Sequence, residues 1–281
     1  LIHTGQNYDY ELNKIFFEQL EIKSPDYNLE VNTSSLGNVL GDTIIKVEQV
    51  LLKELPDAVL ILGDTNASIS GIIAKRLKIP IYHMEAGNRS FDLEVPEEIN
   101  RKIIDHVADF NLVYTEHSRR HLISEGIQHR RIYLTGSPMF EVLNHYDHHV
   151  KNSRIIEKLS LKKNKYFLFS FHREENVDKK DRLIKIIEVM NELVSIYKFP
   201  IIISTHPRTH FRMKDLNVKL NELLLFHKPF GFFDYIKLQK EALCTISDSG
   251  TISEESSILN FPAITIRNSM ERPEALDSGS I

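Results

Sequence analysis

The sequence predicts an α/β protein with two doubly wound, Rossmann-like domains whose parallel sheets face a central cleft. Short apolar runs alternate with longer segments whose apolar residues recur at helical spacing, as in sheets with helical crossovers. Polar segments follow several of these runs, at the strand ends where doubly wound folds bind ligands. One polar stretch, 144–165, divides the alternating pattern into two halves.

The strands are predicted from apolar runs that are rich in Val, Ile and Phe. Leu1–Gly5 has the pattern of a strand that runs into a turn. Helical spacing predicts helices over Leu36–Leu51 and Leu183–Val194, and Pro96 marks another helix start. The remaining predicted strands are Ala58–Leu62, Ile81–Met84, Phe110–Tyr114, Ile132–Thr135, Tyr166–Phe171, Ile201–Thr205, Leu223–Phe226, Leu243–Ser247 and Ala263–Ile266.

These elements predict an N-terminal domain over 1–145, a linker over 146–165 and a C-terminal, ligand-binding domain over 166–281. The sequence has no initiator Met, begins within a strand pattern and stops at Asp277–Ile281 without a closing helix. We therefore expect an internal piece of a longer protein, without its first strand and final helices.

Composition excludes several classes of protein. Of the 281 residues, 42% are hydrophobic and 26% are charged, as is typical of globular proteins. The net charge of −4 argues against a nucleic-acid partner, and no apolar run is long enough to span a membrane. The single cysteine, Cys244, excludes a disulfide framework and fits a cytoplasmic protein.

The clearest ligand signal is Ser247–Thr251, where a strand breaks into a turn of small residues and a helix follows. Free backbone N–H groups at this helix start, with the Ser249 and Thr251 hydroxyls, predict a diphosphate site. A plain helix N-cap without a ligand is the alternative. Glu255, about one turn into the helix, is placed to accept two sugar hydroxyls, and Arg272 is a candidate counter-charge for the phosphates.

Polar segments also follow other predicted strands, at Asp64, Glu85 and His172, and Glu97 begins a helix. Each carboxylate has a structural alternative. Asp64 suits a helix N-cap, Glu85 a partner of Arg89, and Glu97 the positive end of a helix dipole.

Motifs for resident cofactors are absent from the sequence. We find no G-x-G-x-x-G, Walker loop, H-E-x-x-H, G-x-S-x-G or D-x-D. The cluster at His145–His149 lies in the polar stretch, where a solvated linker is a better interpretation than a metal site. Chemistry without a metal or nicotinamide is the hypothesis that remains.

Taken together, seven segments resemble the non-hydrolysing UDP-N-acetylglucosamine 2-epimerases, and they occur in the family's order over essentially the whole chain. The resemblance implies a two-domain fold like that of GT-B glycosyltransferases, a UDP-linked 2-acetamido sugar as ligand, no cofactor, and a homodimer. The segments are Thr4–Gln6, Gly63–Thr65, His83–Gly87, Pro96–Arg101, His172–Arg173, Asp248–Gly250 and Glu271–Ala275.

The reaction that this resemblance implies is inversion at C2 of the sugar. No carbonyl group stabilises a carbanion there, so elimination of UDP as the C2 proton leaves, and its re-addition to the resulting 2-acetamidoglycal, is the feasible route. The reaction needs a diphosphate site and proton carriers near C2. The resemblance implies catalytic roles for Asp64, Glu85, Glu97 and His172. The substrate-binding candidates are Arg89, Ser249, Gly250, Thr251, Glu255, Arg272 and, for the uracil pocket, Tyr235.

Three segments, Thr4–Tyr10, Gly87–Asp92 and Gly136–Val142, look like the capsule and O-antigen branch of the family. That branch converts UDP-2-acetamido-2,6-dideoxy-L-talose to UDP-N-acetyl-L-fucosamine, which is the reaction that we expect here. The alternatives are conversion of UDP-N-acetylglucosamine to UDP-N-acetylmannosamine, a hydrolysing relative, a GT-B glycosyltransferase and a non-catalytic UDP-sugar-binding fragment.

Overall fold

A computed structural model describes residues 1–5, 14–205, 207–214, 216, 218–277 and 279–281. The predicted motif residues 6–10 lie outside this part of the chain. The described residues form two compact units. The first unit is built mainly from Lys23–Pro138 and includes Ser269–Arg272, and the second is built mainly from Met139–Asn268 and includes Pro273–Ile281.

The first unit holds a four-stranded parallel sheet in the order β3-β4-β5-β6 and a separate parallel pair, β1-β2. Buried apolar side chains of α2, α3 and α4 pack on one face of the larger sheet, around Ile61 and Ile81. The elements are β1 Ile2–His3, β2 Tyr27–Asn28, α2 Leu36–Glu54, β3 Val59–Leu62, α3 Ser70–Arg76, β4 Ile81–Met84, α4 Pro96–Val107, β5 Phe110–Val113, α5 Glu116–Ser124 and β6 Ile132–Leu134.

The second unit holds a five-stranded parallel sheet in the order β11-β10-β7-β8-β9. Its largest core cluster joins buried residues of β7, β8 and α10, among them Phe169, Ile203 and Met190. The elements are α1 Lys14–Gln19, α6 Met139–His145, α7 Asp147–Asn152, α8 Ile155–Lys158, β7 Phe167–Phe171, α9 Glu174–Val177, α10 Lys180–Tyr197, β8 Ile201–Thr205, α11 Pro207–Lys214, β9 Leu224–His227, α12 Phe232–Glu241, β10 Cys244–Ser247, α13 Ile252–Leu259, β11 Ala263–Thr265 and α14 Glu274–Asp277.

The strand order of the second unit creates a topological switch point between β7 and β10. From β7 the chain adds β8 and β9 on one side, and it then returns to add β10 and β11 on the other. In open parallel sheets, ligands bind beyond the carboxyl ends of the two strands at such a point. Residues that follow Phe171 and Ser247 are therefore placed at the natural ligand position of this sheet.

The predicted α/β class with parallel sheets is confirmed, and every predicted strand is present within a residue or two of its predicted ends. The two-residue strand β2 was not predicted. The polar stretch 144–165 contains α7 and α8, which bury Val150 and Ile155. Within the described ranges, no helix is long and apolar enough to cross a membrane.

Candidate active site

Asp248 joins the two loops at the switch point of the second unit. Its carboxylate is fully buried and accepts hydrogen bonds from the backbone N–H groups of His172 and Arg173 at 3.0–3.1 Å. Asn176 donates a further bond at 2.8 Å. Because these donors come from the chain after β7 while Asp248 follows β10, the carboxylate holds the two strand ends together and does not face a ligand.

Beyond Asp248, small polar residues lead into α13. Ser249 Oγ and Thr251 Oγ1 lie 3.1 Å apart, and Thr251 Oγ1 donates to Glu255 Oε1 at 2.8 Å. The second oxygen of Glu255 accepts from Gln239 Nε2 at 2.6 Å, and Glu255 is only 7% exposed. This network orients both hydroxyls and the carboxylate at the first turn of a helix, whose N–H groups favour anions.

Two arginines flank Gly250, and neither was among the predicted site residues. A Cβ atom at Gly250 would lie 3.7 Å from an Arg267 Nη1 atom and 3.8 Å from an Arg173 Nη2 atom. Arg173 Nε also donates to the Asp248 carbonyl at 3.2 Å. The helix start therefore has two guanidinium groups beside it, which is the charge that a diphosphate requires.

His172 lies at the same switch point, with Nδ1 3.2 Å from Asp248 Oδ1 and 44% of its side chain exposed. Desolvation by the surrounding protein lowers the pKa of the imidazole; Asp248 opposes this shift, and Arg173 and Arg267 reinforce it. The ring is therefore predominantly neutral at neutral pH and retains an exposed edge.

Tyr235 is on the first turn of α12, and its ring packs against the buried cluster that contains Tyr166 and Leu168. Burial raises the pKa of its phenol, and Glu255 adds to that effect, while hydrogen bonding to Ser170 and Ser247 opposes it. The hydroxyl thus interacts with the sheet ends and with Glu255, so a direct contact with a ligand base stays a prediction.

In the first unit, Glu85 follows β4 with a left-handed backbone, φ 65°. Its carboxylate lies over Gly63, since a Cβ atom there would be 3.4 Å from Glu85 Oε2. Glu85 Oε1 accepts from Arg272 Nη2 at 2.5 Å and from Asn88 Nδ2 at 3.2 Å. Gly63 has φ +74°, a backbone conformation in which any residue with a side chain would be strained.

Arg101 connects the acidic residues of this unit, although it was not among the predicted site residues. Its guanidinium is 2% exposed and donates to Asp64 Oδ2 at 2.6 and 3.0 Å. It also binds Glu98 at 2.6 Å and lies 3.8 Å from Glu271. Asp64 keeps 23% of its side chain exposed, so it can still meet a ligand.

Glu97 and Glu98 occupy the first turn of α4, but their surroundings differ. Glu98 is fully buried and accepts bonds from the backbone N–H groups of Ser90 and Phe91, as well as from Arg101. Glu97 is half-buried, and within the described chain its carboxylate forms no hydrogen bond or ion pair. Glu98 therefore holds the loop at Ser90 and Phe91 against α4, while Glu97 remains available to a substrate.

The structure corrects the prediction for Arg89. The side chain is 0% exposed, and its three nitrogens donate to Glu125, Asp105 and the Asn88 carbonyl at 2.6–2.8 Å. The alternative in which Glu85 pairs with Arg89 is also wrong, because the partner of Glu85 is Arg272. Arg89 holds α4 and α5 to its loop and does not reach a ligand.

Arg272 lies with the acidic residues of the first unit. Besides Glu85, its guanidinium approaches the Tyr114 ring, 5.9 Å from the centroid. The candidate residues thus fall in two groups. Asp64, Glu85, Glu97 and Arg272 belong to the first unit, and His172, Ser249, Gly250, Thr251 and Glu255 to the second.

Comparison with known proteins identifies relatives of the whole chain. The profile of a family described as UDP-N-acetylglucosamine 2-epimerase matches residues 1–281. A UDP-2,3-diacetamido-2,3-dideoxy-D-glucuronate 2-epimerase of Pseudomonas aeruginosa is 34% identical, over 100% of this chain and 78% of the relative.

Solved structures show the same similarity. A UDP-N-acetylglucosamine 2-epimerase from Rickettsia bellii is 49% identical, with a TM-score of 0.87 over 100% of this chain and 75% of that one. A UDP-GlcNAc 2-epimerase of Methanocaldococcus jannaschii, solved with UDP-GlcNAc and UDP, is 38% identical, with a TM-score of 0.91 over 98% of this chain and 78% of that one.

Proposed function

Because the chain belongs to the UDP-N-acetylglucosamine 2-epimerase family, we propose that it inverts C2 of a UDP-linked 2-acetamido sugar by eliminating and re-adding UDP. The observation that carries this proposal is the group of carboxylates after β3 and β4 and at the start of α4. Proton carriers at C2 are what the elimination requires, and positioned carboxylates are common proton carriers in enzymes.

In the first half of the reaction, the C1–O bond to UDP breaks as a base takes the C2 proton, which leaves a neutral 2-acetamidoglycal. In the second half, UDP adds back to C1 while a proton reaches the opposite face of C2. Glu97 is the best candidate to exchange a proton with C2, because its carboxylate is not committed to a cation. Asp64 and Glu85 are ion-paired to Arg101 and Arg272, and in this proposal they assist Glu97 as additional proton carriers.

The second unit supplies the groups that a leaving diphosphate needs. The α13 start, the Ser249 and Thr251 hydroxyls and the guanidinium groups of Arg173 and Arg267 stabilise its negative charge. Glu255 accepts ribose hydroxyls in this proposal. Neutral His172, beside the same loop, is suited to donate a hydrogen bond to a phosphate oxygen or to the sugar.

For the sugar we propose UDP-2-acetamido-2,6-dideoxy-L-talose, and UDP-N-acetylglucosamine is the second candidate. The Asn88 amide, which bonds to Glu85 and accepts from Ser118 Oγ at 3.0 Å, belongs to the segment that favours the first substrate. The second candidate has the support of the relatives, whose printed names include UDP-N-acetylglucosamine 2-epimerase. The homodimer stays a prediction, as does a cytoplasmic role in capsule or O-antigen synthesis.

Incubation with each UDP-sugar in D₂O tests the proposal. We expect deuterium at C2 of the epimeric product for one of them, with a transient glycal detected by mass spectrometry. UDP and free sugar as products would indicate a hydrolysing enzyme, and transfer to an acceptor without C2 exchange would indicate a glycosyltransferase. UDP binding without any C2 exchange would mean that the chain is a binding fragment, and the proposal would fail.

A further inference from the structure

A buried histidine lies behind the carboxylates of the first unit. His83 is on β4 with its side chain 0% exposed, and it has an oxygen atom opposite each ring nitrogen. Nδ1 is 2.8 Å from Asp105 Oδ1, and Nε2 is 3.0 Å from the Gly63 carbonyl oxygen. A carbonyl oxygen only accepts hydrogen bonds, so Nε2 carries a proton.

The proton in the other bond belongs to His83 as well. The Asp105 carboxylate already accepts from the Gly87 N–H at 3.2 and 3.3 Å and from Arg89 Nη1 at 2.7 Å. The other groups that contact this carboxylate are therefore N–H donors, and the carboxylate acts as their acceptor. In the same pattern, Nδ1 of His83 donates its proton to Asp105 Oδ1.

The buried charges around His83 balance. Two cations, His83 and Arg89, face two carboxylates, Asp105 on α4 and Glu125 at the end of α5. Paired and hydrogen-bonded charges of this kind are tolerated in a protein interior, whereas removal of one partner is costly. His106, which also contacts Glu125 at 3.2 Å, lies on the exposed side of the group.

The His83 ring is connected to the segments that carry two residues of the proposed site, Asp64 and Glu85. Its Nε2 fixes the carbonyl of Gly63, the residue before Asp64, and its backbone lies two residues before Glu85. We propose that His83 is a positioning residue, which donates from both ring nitrogens and with Asp105 sets the placement of the Asp64 and Glu85 carboxylates. This inference rests on the proposed function of those carboxylates.

The protonation state can be measured without any substrate. In ¹⁵N spectra of histidine-labelled protein at about pH 7, assigned by comparison with His83→Gln, we expect both His83 ring nitrogens to carry protons, because each faces an acceptor oxygen. A ring nitrogen without a proton overturns the proposal, whether or not the protein is an epimerase.

The positioning role is tested by kinetics of C2 proton exchange. We expect His83→Leu to lower kcat by about 10²-fold, since a displacement of about 1 Å can cost that much, with KM and UDP affinity unchanged. His83→Gln, which keeps a donor toward Gly63, should recover part of the loss. His121→Leu is the matched control, because it removes a histidine–carbonyl contact of 3.0 Å at Gly87.

Equal losses in His83→Leu and His121→Leu, or a loss confined to KM, would contradict the positioning role. If the unsubstituted protein exchanges no C2 proton at all, the proposed function fails instead, and the spectra still decide the charge of His83.

Discussion

The two groups of candidate residues are organised by different interactions. In the first unit, carboxylates are paired with guanidinium groups, as Asp64 is with Arg101 and Glu85 is with Arg272. In the second unit, hydroxyls and backbone N–H groups surround the start of α13, and the buried Asp248 holds the loops without facing a ligand. The first arrangement holds a set of carboxylates in place around the uncommitted Glu97, and the second suits a fixed site for an anion.

The comparison also separates residues that support a site from residues that are free to react. Glu98 and Asp248 are fully buried acceptors of several N–H groups, so each holds its loop in place. Glu97, next to Glu98, keeps a carboxylate without a partner among the described residues. Loss of Glu97 should therefore affect chemistry, whereas loss of Glu98 should affect folding.

The largest effect is expected for Glu97→Gln. The amide cannot take or give the C2 proton, so exchange at C2 should fall by about 10²–10⁴-fold, while UDP affinity stays unchanged because the anion site is in the other unit. The measurement is deuterium incorporation at C2 together with calorimetric UDP binding. Glu94→Gln is the matched control, because Glu94 is an exposed carboxylate three residues earlier, in the loop before α4. Retention of full exchange in Glu97→Gln would remove Glu97 from the mechanism.

The second prediction concerns stability and its pH dependence. Burial opposes the ionisation of Glu98, but the Ser90 N–H and Arg101 outweigh it and lower the pKa of the carboxyl from its ordinary 4.5. Glu98→Gln leaves Arg101 short of a partner, and breaking such a buried pair costs about 3 kcal/mol. A depressed pKa stabilises the folded state above the unfolded value, and this contribution is lost as pH falls through the folded value.

Thermal unfolding should therefore show a large difference in Tm between the unsubstituted protein and Glu98→Gln above pH 4.5. This difference should narrow as the pH falls below that value. Glu157→Gln, with a side chain 68% exposed, is the control. A difference in Tm that stays constant down to acid pH would mean that the charge of Glu98 is not what stabilises the loop.

The strands and the Ser249–Thr251 turn could be predicted from the sequence alone. The strands were predictable because buried parallel strands are continuous apolar runs, and β2 was missed because two residues, Tyr27 and Asn28, form no such run. The Ser249–Thr251 turn was recognisable from its small residues before a helix. Sequence spacing is enough for features that depend on adjacent residues.

The arginines show where sequence reasoning stops. Arg89 looked available for a ligand, but its bidentate partner Glu125 is 36 residues away along the chain. Arg101 appeared only as the end of a matching segment, and Arg267 was not considered. Most arginines are on the surface, and only tertiary structure shows which of them lies beside a carboxylate or a glycine. Long-range pairing, which the sequence pattern does not encode locally, decides these roles.

A smaller effect is expected for Glu255→Gln in the second unit. The change removes the negative charge of the carboxylate that accepts from Thr251 and Gln239. It also removes the charged hydrogen bonds that the carboxylate would form with the ribose hydroxyls. UDP affinity should fall by about tenfold, in line with the loss of about one charged hydrogen bond, while kcat at saturating substrate changes little. Calorimetry and initial rates check this. A fall in kcat without a change in UDP affinity would mean that Glu255 acts in the chemical step and not in nucleotide binding.

The smallest effect is expected for Tyr235→Phe. The ring is held in the cluster around Tyr166, and its hydroxyl interacts with Ser170 and Ser247 at the sheet ends, so the substitution removes one internal hydrogen bond and keeps the packing. UDP affinity should then change by less than about twofold, and unfolding should become easier by about 1 kcal/mol. Titration calorimetry and denaturant unfolding measure the two quantities. A loss of affinity of tenfold or more, with stability unchanged, would instead place the Tyr235 hydroxyl on the uracil, and α12 would then contribute to nucleotide binding beside the anion site at the start of α13.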